Sequence, residues 1–104
     1  MAYVSIHKLP GDPDELLQKK HTSMDPKVRE VAPGYGAMLS LTVRVADGVL
    51  TINVWDSSEQ AAAFTQLAEI QAAQRASGLP MPATFESFPE AEMEVYRSLS
   101  PSVE

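Results

Sequence analysis

GAMLSLTVRVADGVLTINVWD, residues 36–56, is the stretch that decides the fold. From Gly36 to Ala46, Ala37, Leu39, Leu41, Val43 and Val45 alternate with Met38, Ser40, Thr42 and Arg44, the period of two expected of a strand with two different faces. Val49 to Asp56 alternates again, Leu50, Ile52 and Val54 against Thr51, Asn53 and Trp55. Asp47-Gly48 between them is a short-hairpin signal, because both residues tolerate positive φ. Strands two and three therefore form a hairpin.

Working outward, residues 3–9 (Tyr-Val-Ser-Ile-His-Lys-Leu) read as strand one, closed by the turn pair Pro10-Gly11. Asp12-Pro13-Asp14-Glu15 is a helix start, with a capping carboxylate, a proline at the first helical position and a glutamate three residues after the cap. One face of this helix carries Leu17, His21, Met24, Val28 and Val31. Pro26 interrupts it, and Asp25-Pro26 repeats the cap-then-proline pattern, so a second short helix restarts there and ends near Pro33-Gly34. Ser57-Ser58-Glu59-Gln60 opens one alanine-rich helix running to about Ser77 and stopping at Gly78. Pro80, Pro82 and Pro89 make residues 78–90 a loop. The last strand is expected at roughly Ala91 to Ser98, followed by a frayed tail over residues 101–104.

The order βαββαβ defines a single α+β domain of ferredoxin-like type, with two helices over one face of a four-stranded antiparallel sheet. One set of strand positions is almost wholly apolar: Val4, Ile6, Leu39, Leu41, Val43, Val45, Leu50, Ile52, Val54, Met93 and Val95. The other is mixed: Tyr3, Ser5, His7, Met38, Ser40, Thr42, Arg44, Thr51, Asn53, Trp55, Glu94 and Tyr96. Neither is a solvated lysine–glutamate surface, so both faces need cover, and two sheets meeting face to face supply it. An interface of about 800 Å² per partner, at about 25 cal/mol/Å², offers on the order of 20 kcal/mol gross, partly offset by association costs. A homodimer is the expectation.

Composition narrows the function classes. The chain has 104 residues, 44% hydrophobic and 21% charged, ordinary globular values. Its net charge of −6 leaves no basic stripe for phosphates, so nucleic acid is not expected. No apolar run approaches the roughly 20 residues that span a bilayer. The alternating N-terminus shows no secretion signal, and the absence of cysteine excludes thiolate chemistry and disulfides; a cytoplasmic location is expected. There is no GxGxxG, P-loop, HExxH or GxSxG string. Two histidines without a matching carboxylate set make no metal site.

The strand Ile52-Asn53-Val54-Trp55-Asp56, followed by the Ser-Ser-Glu cap and an Ala/Phe helix, resembles the dimeric α/β-barrel superfamily that includes the antibiotic-biosynthesis monooxygenases. The short first strand ending near His7 is similar too. The resemblance implies that Trp55 and His7 line a pocket between sheet and helices while the apolar face builds a barrel between subunits. Pattern alone also allows the reverse, with the mixed face lining the barrel. Some members of the superfamily bind haem through a histidine associated with the second helix; this chain has no histidine after His21, and no cofactor is expected.

Six residues are candidates for the site. His7 and His21, placed at similar height by strand and helix rise, could converge, one serving as a general base; packing roles are the alternative. Trp55 offers stacking and one donor, in line with Asn53. Arg44, if its strand is paired on both sides, needs a carboxylate such as Glu94 or an anionic ligand; an exit to solvent is the alternative. Tyr96, like Tyr3 and Tyr35, is a phenolic donor. Together they suit a cofactor-independent monooxygenase, or a related isomerase or cyclase, acting on an aromatic or polyketide-like small molecule by proton removal. The alternative is a non-catalytic ligand-binding or stress-associated dimer on the same fold.

Overall fold

A computed structural model describes residues 2–93. Four strands, β1 (Ala2–Pro10), β2 (Ala37–Val45), β3 (Gly48–Trp55) and β4 (Thr84–Ala91), form one antiparallel sheet in the order β2-β3-β1-β4. The helices are α1 (Pro13–Lys19), α2 (Asp25–Val31), α3 (Ser58–Thr65) and α4 (Ala68–Ser77). This is the ferredoxin-like α+β arrangement. Both helix starts form as the capping signals indicate, with Asp12 accepting from the Glu15 amide at 3.0 Å and Ser57 from the Gln60 amide at 3.2 Å.

The hairpin forms, but for a different reason than positive φ. Its loop is Ala46-Asp47, no non-glycine residue among those described has positive φ, and Gly48 has none either. Glycine is needed at 48 because a Cβ there would lie 2.1 Å from the Leu9 carbonyl oxygen across the ladder. A second irregularity changes a face. β2 carries an extra residue between the pairs Ala37↔Trp55 and Leu39↔Val54, a bulge at Met38 that turns Ala37 away from the apolar set and onto the Trp55 core.

The last strand lies earlier than its expected place at residues 91–98. Thr84–Ala91 pairs with β1, and Pro89 is tolerated because β4 is an edge strand and its ladder is bulged there, between Val4↔Phe88 and Ala2↔Ala91. Residues 94–98 lie outside the described residues.

Both helical segments are broken differently from their periodicity. Between α1 and α2 the chain continues through a π-helical turn, Lys20–Met24, where the Asp25 amide bonds to the Lys20 carbonyl. Pro26, which has no amide hydrogen, sits in the first turn of α2 and so needs no break in the chain. The alanine-rich segment is two helices, α3 and α4, because Leu67 is extended (ψ 133°). Six residues along one straight helix would put Phe64 and Ile70 about 120° apart. The break lets both bury in one cluster with Ala32, Trp55 and Ala61. A second, smaller cluster joins Leu9, Leu16 and Val49.

Candidate functional site

The mixed strand set faces the helices, which settles the orientation that pattern left open. Tyr3, Ser5 and His7 of β1 stand opposite Trp55, Asn53 and Thr51 of β3, and Ser40 and Thr42 of β2 extend the row. Polar side chains in the middle of the layer prevent the two apolar clusters from merging. The result is a cavity of about 600 Å³, bordered by members of both clusters and roofed by the π turn, α2 and α4, with Pro80, Pro82 and Phe85 along one side. This lies within the usual size range of small-molecule pockets, about 300–1,000 Å³.

His7 is half-buried in this cavity. Its ring stacks on Phe85, centroids 6.0 Å apart. Burial, and secondarily the Lys20 ammonium, lower its pKa from the ordinary histidine value, so the imidazole is in its neutral form at neutral pH. Asn53 accepts from the Ser40 hydroxyl at 2.7 Å, which leaves its amide hydrogens as what it offers a ligand. Trp55 is 7% exposed and packs on Phe64 at 5.1 Å while one part of it lines the cavity. It is both core and wall.

His21 does not converge with His7. Its side chain is 62% exposed, 3.6 Å from Asp25 on the outer side of the helix, and it is absent from the cavity lining. The π turn inserts a residue into the helical register: Met24, Val28 and Val31 keep their expected inward places against the core, while Lys20 and Asp25, not His21, turn to the cavity. Arg44 lies on an edge strand, paired on one side only, and its half-exposed guanidinium binds the Asp14 carboxylate of α1. It takes no part in the cavity, and Glu94, its expected partner, lies outside the described residues. Tyr96 also lies outside them.

Sequence reasoning missed the charged wall. Lys20 and Asp25 pair at 2.6 Å, their side chains 14% and 15% exposed, and both border the cavity with Arg29. In a regular α-helix residues five apart diverge by about 140°; only the wider π turn brings them together. Asp25-Pro26 was the available signal, since a proline in mid-helix invites such a turn. Among the described residues no group of three or more His, Cys, Asp or Glu side chains is arranged to hold a metal ion.

No family model matches the chain, and no curated protein matches it. Solved structures do. A candidate antibiotic biosynthesis monooxygenase from Caulobacter crescentus CB15 superposes with a TM-score of 0.67 at 18% identity over 88% of this chain and 91% of that one. The chain has the fold of the antibiotic-biosynthesis-monooxygenase-like proteins. A second candidate of that kind, from Chloroflexus aurantiacus J-10-fl, gives 0.60 at 17% identity, covering 91% of this chain and 98% of that one. SnoaB, a cofactor-independent oxygenase from Streptomyces nogalater, gives 0.57 at 13% identity, with 88% and 93% covered.

Proposed function

We propose that this protein binds a flat, aromatic or polyketide-like small molecule in the cavity between sheet and helices and removes a proton from it, as a cofactor-independent monooxygenase or a related isomerase or cyclase. The observation that carries this reading is a neutral, cavity-lining imidazole, His7, in a pocket with an indole wall and a mainly apolar surface. Proton removal by His7 leaves an electron-rich anion. The Lys20 ammonium and the Asn53 amide are the groups that stabilise its charge, and Trp55 provides a face on which the ring stacks. An anion of this kind reacts with dioxygen or rearranges without a bound cofactor, and SnoaB, which shares the fold, is itself described as a cofactor-independent oxygenase. His21 and Arg44 have no place in this chemistry.

The same reading includes a homodimer formed through the open sheet face. Leu39, Leu41, Val43 and Phe88 are 41–46% exposed there, beside half-buried Val4, Ile6 and Ile52, and a contiguous apolar patch of this kind marks an interface. Among the described residues no helix is long and apolar enough to cross a membrane.

The test is oxygen uptake with a panel of polycyclic hydroxyarenes, comparing the wild type with His7→Ala. Turnover lost in the variant while binding persists supports the catalytic reading. Binding without turnover in the wild type across the panel moves the protein to the ligand-binding class, and no binding at all removes the pocket reading.

A further inference from the structure

One pair of residues closes the π turn twice. The Asp25 amide donates to the Lys20 carbonyl, and Asp25 Oδ1 accepts from the Lys20 ammonium at 2.6 Å. The main-chain bond fixes the five-residue spacing that the side-chain bond needs, since in a regular helix the carboxylate would reach the residue four back, His21, instead. It still approaches His21 with its other oxygen, Oδ2, 3.6 Å from Nε2. The carboxylate is therefore shared between an exposed histidine outside and a cavity-lining lysine inside.

Lys20 is held where a lysine does not ordinarily stay. A four-carbon stem lets a strongly hydrated ammonium reach for water, and the Lys19 side chain, one residue earlier, is 38% exposed against 14% for Lys20. Among the described residues the Lys20 ammonium has one hydrogen-bond acceptor, Asp25. Without it the ammonium would be a mostly buried charge with no partner, a state that a flexible side chain escapes by turning outward. We infer that Asp25 is a positioning residue: it retains the Lys20 ammonium in the wall that His7 shares, and through that ammonium it favours the neutral imidazole. The direction is opposite to that of a carboxylate acting directly, which favours the imidazolium. It holds because the ammonium is the charge that acts on His7, second only to burial. The titratable groups bordering the cavity with His7 are Tyr3 from β1, Lys20 from the π turn, and Asp25 and Arg29 from α2; α3, α4 and the other strands contribute none. Arg29 also borders the outer face of Asp25 with His21. The task assigned to His7 rests on the proposed function, whereas the positioning is a property of the free protein and is tested there.

The experiment follows the His7 ring by NMR through a pH titration of the ligand-free protein in Asp25→Asn, Lys20→Gln and the double variant, with His21→Gln assigning the signals of the other histidine. Asp25→Asn keeps the shape of the side chain and removes its charge, so the released ammonium turns to water and the His7 pKa rises, as it does in Lys20→Gln. In the Lys20→Gln background the same change no longer raises it. For any compound that the wild type turns over, the acid limb of the rate profile moves to higher pH in Asp25→Asn. Asp25→Ser, which suits the first turn of a helix, carries the same expectation should the asparagine variant unfold. A fall or no change in the His7 pKa of Asp25→Asn overturns the inference, since the ammonium then stays in place without the carboxylate. A rise that persists in the Lys20→Gln background overturns it too, because it reports a loosened and wetter pocket. Either result leaves the proposed oxygen chemistry standing, and absence of turnover across the hydroxyarene panel removes that chemistry without touching the positioning.

Discussion

Replacing Trp55 by alanine and His7 by alanine separates packing from chemistry, and the two variants differ greatly in cost. Trp55 is 7% exposed and joins Phe64, Ala61, Ile70 and Ala32 in the larger core cluster. Truncating a packed tryptophan costs about 3–5 kcal/mol, and a domain near this size loses about 4–8 °C of melting temperature per kcal/mol. Trp55→Ala is therefore expected to melt on the order of 12–40 °C lower, enough to unfold much of the protein at 37 °C. His7 is only half-buried, stacks on one ring and carries an unpaired Nδ1, so His7→Ala loses modest contact and removes a polar atom that burial penalises. Its stability should stay within about 1 kcal/mol of the wild type. Thermal denaturation followed by circular dichroism, at one fixed protein concentration because a dimer's melting depends on it, reads both effects. Binding measured on the folded variants then assigns His7 to the ligand site and leaves Trp55 to be probed by Trp55→Phe. A Trp55→Ala variant melting within a few degrees of the wild type, or a His7→Ala variant falling as far as Trp55→Ala, would refute this division of roles.

The lowered pKa of His7 makes the folded state bind its proton less readily than the unfolded chain. That contribution to stability is present above about pH 6.5, the ordinary histidine value, and is lost as pH falls through the lower folded value; denaturant midpoints from pH 8 to 5 should show it, and His7→Gln should flatten the slope. Lys20→Gln removes the smaller of the two causes, so the His7 pKa in an NMR titration should rise but remain below its ordinary value, because burial is the larger one. An unmoved value would mean that Lys20 does not act on the imidazole. Leu41→Glu places a charge in the centre of the open sheet face and should yield monomer, or unfolded chain if the interface is needed for folding; sedimentation of a wild-type monomer at micromolar concentration would end the dimer proposal. Gly48→Ala sets a methyl group against the Leu9 carbonyl, which is backbone and cannot move aside, so it should destabilise the hairpin strongly where Gly34→Ala, with open space around it, should not.

Strand alternation made the sheet legible because its period is local: the faces of β1 and β3 follow from parity, and parity put His7, Thr51, Asn53 and Trp55 side by side. What the sequence hid were departures from period. The bulge at Met38 adds one residue to β2 and reverses Ala37, and the π turn adds one to the first helix and exchanges His21 for Lys20 and Asp25. Neither insertion changes composition or hydrophobic count, so periodicity continues through each with the wrong phase. The last strand was misplaced for a related reason, since proline excludes a central strand but not an edge, and nothing local distinguishes the two.

The chemistry of the site depends most on the departure that was hardest to read. With a regular helix in place of the π turn, Lys20 and Asp25 would diverge, and the half-buried His7 would share the cavity wall with Arg29 rather than with a close ion pair. The turn brings the Lys20 ammonium close enough to act on His7 and pairs it with Asp25, and in the proposed chemistry that ammonium is the group set against the developing negative charge. In the proposed reading the imidazole and the acidic ligand group stay neutral as a pair when the proton moves, beside the Lys20–Asp25 ion pair and the Arg29 guanidinium. With Lys20 and Arg29 against Asp25 the wall carries net positive charge, which favours the anion that the proposed proton removal creates and equally admits a ligand that arrives already anionic.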